Sequence, residues 1–283
     1  MNFDTLLSAR FVMPSAPRVL ALLMAELARP QPDLRRIDQL LTLDPALTAR
    51  IVAAANAPFF KLQGKIFCVA EALSVLRLGQ VQAMVSAAAA HSVHRHLHGL
   101  DMPTFWAYGR DCARVARALA ALLRLNPQAA YTAGLIHALG ELALRAALPQ
   151  ALVLDQRQGP LALRRERIER KVLGFSYTQV SAWLCRQWYF PALIVDTLEN
   201  QFAPFDGEAY EPLAGVLHLA AWRARVRQSG LSESLRTASF PAPVAEVLGL
   251  DIDLVLQQDP IDWTAQPGAR PTPSARSAPA PAG

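Results

Sequence analysis

Cysteine is scarce in this chain. Three residues of 283, Cys68, Cys112 and Cys185, stand far apart and form no CxxC pair. That pattern excludes a disulfide framework and a cysteine zinc site, and it fits buried thiols in a reducing cytoplasm. Aromatic residues make up only 7%. The alternating apolar and polar runs of half-buried strands are absent. No charge-free stretch approaches the roughly 18 apolar residues that mark a membrane span. The alanine-rich run 83–90 is too short, and Ala129 to Ala147 is interrupted by His137, Glu141 and Arg145. The N-terminus lacks a basic region followed by an apolar run and a small-residue cleavage site, so no secretory signal is expected. There is no GxxxxGK[ST], GxGxxG or GxSxG. This removes the common phosphate loops and the nucleophile elbow. Aromatics do not interleave with basic residues, and no segment has the composition of a recognition helix, so nucleic acid is not an expected partner.

What is abundant is alanine, leucine and valine. Hydrophobic residues reach 52% and mean hydropathy is +0.18. Alanine and leucine are strong helix formers, so the composition predicts an all-α protein with a sizeable core. The net charge of +5 comes from 28 basic and 23 acidic residues, and the sequence pI is about 9.4. The excess is mild and scattered. Only the run Arg164 to Lys171 is dense, and its interleaved Glu166 and Glu169 read as a solvated helix face.

Helix punctuation is frequent. Pro17 opens a helix that Pro30 stops, and Asp33 can cap a second carrying Leu34, Ile37, Leu40 and Leu41. Asp44-Pro45 places an N-cap before a first-turn proline and predicts a helix to about Ala57, ended by Pro58. Short and longer helices are expected at Val69 to Leu76 and Gln80 to about Leu97. A second block opens at Met102. It predicts helices at Thr104 to about Leu125, Pro127 to about Leu148, Pro160 to Leu173, Tyr177 to Trp188, Pro191 to Asn200, Glu208 to Gln228 and Pro241 to Leu248. The reading divides the chain into an N-terminal helical subdomain (1–102), a second helical subdomain (103–258) and a Pro/Ala-rich disordered tail (259–283).

The segment Asp44 to Phe60, DPALTARIVAAANAPFF, resembles the core signature of the HDOD family. So does the segment from Ile66 to Leu78 with its terminal Ala72-Leu73-Ser74-Val75-Leu76-Arg77-Leu78-Gly79. Phe105-Trp106 and Cys112-Ala113 resemble the family's next helix. The resemblance spans roughly residues 10 to 255. It implies an N-terminal helical subdomain packed on an HD-like helical subdomain, and a role in bacterial signalling, usually without demonstrable catalysis. Within the signature, Asp44 and Pro45 start the helix, Asn56 reads as a C-cap, and Phe59 and Phe60 read as core plugs. The motif serves either packing or a binding surface. The aromatic segment Trp183, Trp188, Tyr189, Phe190, Pro191 reads as core packing, with a partner groove as the alternative.

Gly134 to Gly140, GLIHALG, is similar to the segment around the His-Asp pair of HD-type metal phosphohydrolases, but alanine stands at 138. The resemblance implies further metal ligands where this chain has Tyr108, Tyr177, Asn200-Gln201 and a residue near Ala221. Only His137 keeps a ligand identity, and one imidazole falls short of the three or so protein ligands a catalytic metal needs. Tyr108 and Tyr177 are expected to fill the vacated space, and no cofactor is expected. A second histidine cluster, His91, His94, His96 and His98, has one i, i+4 pair, but Arg95 lies between its members. It reads as a solvated helix end.

Three functions remain open. The first is a non-catalytic signalling module that contacts a kinase, response regulator or cyclic-dinucleotide enzyme. The second is a sensor that binds a nucleotide in the vestigial cleft (Tyr108, His137, Ala138, Tyr177, Asn200, Gln201), with Arg110 and Arg114 as candidate contacts. The third is a degenerate phosphohydrolase using His137, Glu141 and Glu199. No recognisable output domain is attached, so output through noncovalent contact in the cytoplasm is expected.

Overall fold

The computed structural model of the chain describes residues 13–92, 97, 99–148, 153–155, 159, 162, 164–206 and 210–258. The predicted tail and His94, His96 and His98 lie outside them. Among the described residues the secondary structure is helical and no strand forms. No described helix is long and apolar enough to cross a membrane.

The N-terminal half comprises α1 (Pro17–Leu27), α2 (Leu34–Leu41), α3 (Pro45–Ala55), a 3-10 turn (Pro58–Phe60), α4 (Val69–Val75) and α5 (Leu78–Ser92). The second half comprises α6 (Met102–Leu122), α7 (Pro127–Ile136), α8 (Leu139–Ala147), α9 (Arg165–Leu173), α10 (Tyr177–Gln187), α11 (Ala192–Asn200), α12 (Pro212–Ser229), α13 (Glu233–Ser239), α14 (Ala242–Val247) and α15 (Ile252–Gln257). The caps follow the sequence. The Asp33 and Asp101 side chains accept backbone N–H groups of the first turns of α2 and α6, and Asn126 does so before Pro127 of α7. The α13 and α15 helices go beyond the expected elements, each being only one or two turns long.

In the N-terminal half α1 packs on α2 and α5, and α3 on α4 and α5. In the second half α6 and α12 pack against each other and both against α7, while α10 lies across α8 and α11. Helix α3 joins the halves by packing on α7. One continuous apolar cluster runs from Met13 to Val255 through both.

The expected single helix from Pro127 to Leu148 is two helices. The break falls at His137-Ala138, where Ala138 leaves helical geometry at φ −100°, ψ 10°. The cause is tertiary. The Ser181 hydroxyl of α10 lies 2.8 Å from the His137 carbonyl and accepts the Gly140 N–H at 2.8 Å. A Cβ on Gly140 would lie 1.9 Å from the Tyr177 carbonyl oxygen. Only glycine lets α10 come this close.

Two further expectations are corrected. Phe59 is no core plug. It is 84% exposed, with Phe60 edge-on beside it and partly packed on the core. The 3-10 turn carries the two rings to opposite environments. The Arg164–Lys171 run is only half a solvated face. Arg165 and Glu169 are both 0% exposed, whereas Arg170 pairs with Glu166 at the surface. The i, i+4 spacing of 165 and 169 puts both on the inner side of α9.

Candidate functional site

The signature residues are bonded inward. Asp44 is buried, and its carboxylate accepts the Leu47 N–H at 2.8 Å and the Ala16 N–H at 2.6 Å, which ties the start of α3 to the start of α1. The Asn56 side chain donates to the carbonyls of Val52 (3.1 Å) and Ile66 (2.9 Å). It also accepts the N–H groups of Lys65 and Ile66, both at 3.1 Å. Asn56 therefore pins the 57–66 loop to the end of α3. Pro45 is buried at the first turn of α3 and touches the space beside Gly109 of α6. These residues serve packing.

The break after α7 turns His137 into the second half's core, fully buried. Its Nδ1 lies 2.7 Å from the Gly134 carbonyl. A carbonyl only accepts, so Nδ1 carries the proton and Nε2 is an acceptor. The Tyr108 hydroxyl of α6 donates to that Nε2 at 2.8 Å, with the two rings edge-on. Burial, and next the Arg225 cation, push the His137 pKa down to about 3, so the ring is neutral at physiological pH.

Arg225 of α12 is the centre of the constellation. It is 5% exposed. One Nη donates to the Tyr177 hydroxyl. Its guanidinium carbon lies 5.7 Å from the Tyr108 ring centroid, 6.0 Å from that of Tyr177 and 5.6 Å from that of Phe202. This is an aromatic cage around a permanent cation. Tyr108, His137 and Tyr177, which the HD resemblance sets at ligand positions, thus converge on a guanidinium. Ala138 is buried and contributes the break rather than a ligand.

Beside the cage opens a cavity of about 430 Å³ between α11, α12 and α13. Gln201, Phe202, His218, Ala221, Trp222 and Arg225 form its inner wall, and Arg164 also lines it. Gln201 is 2% exposed. Asn200 turns back on its own helix, its side chain donating to the Asp196 carbonyl at 3.0 Å. The expected cleft arginines are also replaced. Arg110 is half-buried in the field of Asp111, Tyr131 and Asp44, Arg114 is exposed, and Arg164 and Arg225 line the cavity instead.

Glu141 and Glu199 do not join His137. Glu141 lies in a buried ion cluster, 2.8 Å from Arg145 Nε and 3.2 Å from Arg165 Nη2. Asp155 bridges the same two arginines at 2.6 and 2.8 Å. Glu169 accepts from Arg165 at 2.8 Å and from the Tyr177 backbone N–H at 2.8 Å, so the cluster holds the start of α10 and with it the Tyr177 ring. Glu199 pairs with Arg186 at the surface. The break at 137–138 removes the single helical face that His137 and Glu141 would have shared. His91 is exposed, its Nδ1 2.6 Å from the Ala87 carbonyl.

A divalent metal does not fit these residues. The one imidazole at the centre has both nitrogens in hydrogen bonds, the phenols are poor ligands at neutral pH, and a guanidinium repels a second cation. Among the described residues no group of three or more His, Cys, Asp or Glu could hold a metal ion.

The sequence gives one signal for Arg225 that composition hides. Helix α12 is apolar on all sides from Leu213 to Trp222 apart from His218, and the structure buries every residue from Leu213 to Val226 except His218. An arginine inside such a helix has nowhere to go but inward.

A second cavity, about 610 Å³, lies between the halves, lined by Arg50, Ala53 and Met84 on one side and Trp188 and Tyr189 on the other. The aromatic segment thus packs partly on the core and partly into this groove.

The fold is similar to that of the MmoQ response regulator from Methylococcus capsulatus, at 23% identity and a TM-score of 0.70, over 87% of this chain and 97% of that one. A fragment of the same regulator gives 26% identity and a TM-score of 0.67, over 86% and 94%. A virulence factor from Campylobacter jejuni gives 16% and 0.67, over 89% and 93%. No curated protein matches the chain. The HDOD domain family model matches residues 13–204, from the start of α1 through the end of α11. With the signature residues bonded as described, the chain belongs to the HDOD domain family.

Proposed function

We propose that this protein is a non-catalytic bacterial signalling module that acts in the cytoplasm through contact with another signalling protein. Its family and its likeness to a response regulator support a signalling role. The observation that carries the non-catalytic reading is the Arg225 guanidinium at the convergence of Tyr108, His137 and Tyr177. A chain-borne cation there supplies charge but cannot deprotonate a water as a metal does. The three buried free cysteines suit a reducing compartment. For the contact itself, the exposed Phe59 is a large aromatic group held on a 3-10 turn, of the residue class enriched at protein interfaces.

The test has two arms. Purified protein is assayed for metal content and for hydrolysis of phosphate esters. Stoichiometric manganese or iron, with hydrolysis that His137→Ala abolishes, overturns the non-catalytic reading and revives the degenerate-enzyme one. The tagged chain and its Phe59→Ala variant are used to capture partners from native lysate. A kinase, response regulator or cyclic-dinucleotide enzyme held by the first and lost by the second supports the contact.

A further inference from the structure

We propose that the cavity beside Arg225 is a binding site for a mononucleotide. The argument starts from unpaired groups. Arg225 is a buried cation; among the described residues no carboxylate pairs with it directly, and Glu166 feels its charge only through the longer-range field. Buried charges are ordinarily paired, because desolvation without a counter-charge is costly. One Nη is used by Tyr177, and the buried Nε–H has no acceptor. Gln201 is equally incomplete. Its Nε2 donates to the Leu198 carbonyl at 2.9 Å, and its buried Oε1 has no donor. Both residues line the cavity. Such orphan groups in a native fold call for an explanation, and a ligand that turns the Gln201 amide and the Arg225 guanidinium toward the cavity provides one.

Their chemistry defines that ligand. Arg225, with Arg164 also lining the cavity, asks for an anionic oxygen, and among the described residues no carboxylate lines the cavity to compete. Gln201 Oε1 asks for an N–H donor. So does His218: its Nδ1 lies 2.7 Å from the Gln201 carbonyl and must carry the proton, which leaves Nε2 as an acceptor. Burial holds that ring neutral by lowering its pKa. Phe202 and Trp222 supply aromatic surface, and Phe202 is fixed edge-on between Tyr177 at 5.9 Å and His218 at 6.3 Å. Anion, N–H donor and flat ring in one small molecule describe a nucleoside phosphate with an exocyclic amine. The 430 Å³ volume sits near the low end of the roughly 300–1,000 Å³ of small-molecule sites, which favours one nucleotide over two.

The experiment is isothermal titration of the full-length protein with AMP, GMP and CMP, and with adenosine and inorganic phosphate as half-ligands. Two variants are titrated alongside, each first shown to be folded by thermal denaturation. Gln201→Leu removes the orphan acceptor. Ala238→Trp, from an exposed position on α13, fills the cavity without disturbing the core. The expected result is binding of at least one nucleotide, with both half-ligands and both variants weaker by about tenfold or more. The proposal is overturned if no nucleotide binds, if inorganic phosphate alone binds as tightly as any nucleotide, or if both variants bind like the parent. Because the titration uses the purified chain, its result does not depend on whether a protein partner exists.

Discussion

The hydroxyl of Tyr108 donates to Nε2 of His137 across 2.8 Å, and the direction of that bond is fixed by the Gly134 carbonyl on the other side of the ring. A residue pair that the HD resemblance sets at metal-ligand positions is thereby a closed, neutral hydrogen-bonded unit. Removing one partner leaves the other buried and unsatisfied. Tyr108→Phe is expected to cost about 1–3 kcal/mol, read as a lowered midpoint in urea denaturation. An unchanged midpoint would show that the bond adds nothing to stability.

The acid side of the stability profile follows from the same ring. His137 has a folded pKa near 3, below its ordinary value of 6.5. Between those values the unfolded chain binds more protons than the native one. Stability therefore rises with pH across that window and is complete above it. The slope contributed is up to about 1.4 kcal/mol per pH unit. Denaturation at several pH values between the two, with His137→Gln as the control, should show a slope that the variant loses.

Glu169 works in the opposite sense. Burial first, and the neighbouring Glu141 charge second, raise its pKa above the ordinary carboxylate value. The native state then holds a proton that the unfolded chain has released. This contribution is largest in acid and is lost as pH climbs from the carboxylate range through the raised value. Glu169→Gln should flatten any decline in stability toward and above neutrality. A decline of the same steepness in the variant would place its origin elsewhere.

Gly140→Ala tests the clasp between α8 and α10. The added methyl would meet the Tyr177 carbonyl oxygen at 1.9 Å and the Ser181 backbone nitrogen at 2.8 Å. Backbone cannot yield as a side-chain tip can. The expected loss exceeds about 3 kcal/mol, seen as a collapse in soluble yield or melting temperature.

Asn56 and Phe59 are three residues apart and should respond in opposite ways. Asn56→Ala strips the partners from a buried loop and should cost about 2 kcal/mol. Phe59→Ala should leave the melting temperature nearly unchanged, within about 0.5 kcal/mol, because the ring is exposed. Equal destabilisation by both would mean that Phe59 is packed after all.

The elements that could be read from the sequence are those written in local chemistry. Asp44-Pro45, Asn126-Pro127 and the Asp33 cap set helix starts within a residue or so of the structure, because a cap and a first-turn proline act on their own backbone. The break at His137-Ala138 could not be read, since Ser181, more than forty positions away, makes it. Arg165 and Glu169 looked like surface because charge is normally solvated, and only the cluster with Glu141, Arg145 and Asp155 explains their burial. Of the candidate site, Tyr108, His137, Tyr177 and Gln201 came from the HD resemblance. Arg225 did not, because no motif marks an arginine that stands among aromatic rings rather than beside an acid.

A metal centre is loaded after folding and can be emptied again by a chelator, by acid or by scarcity. The guanidinium of Arg225 has no such history. It arrives with the polypeptide, in fixed stoichiometry, and no change in cellular manganese or iron alters its occupancy. The centre of this fold is set at translation, so what varies from one moment to the next must enter from outside it.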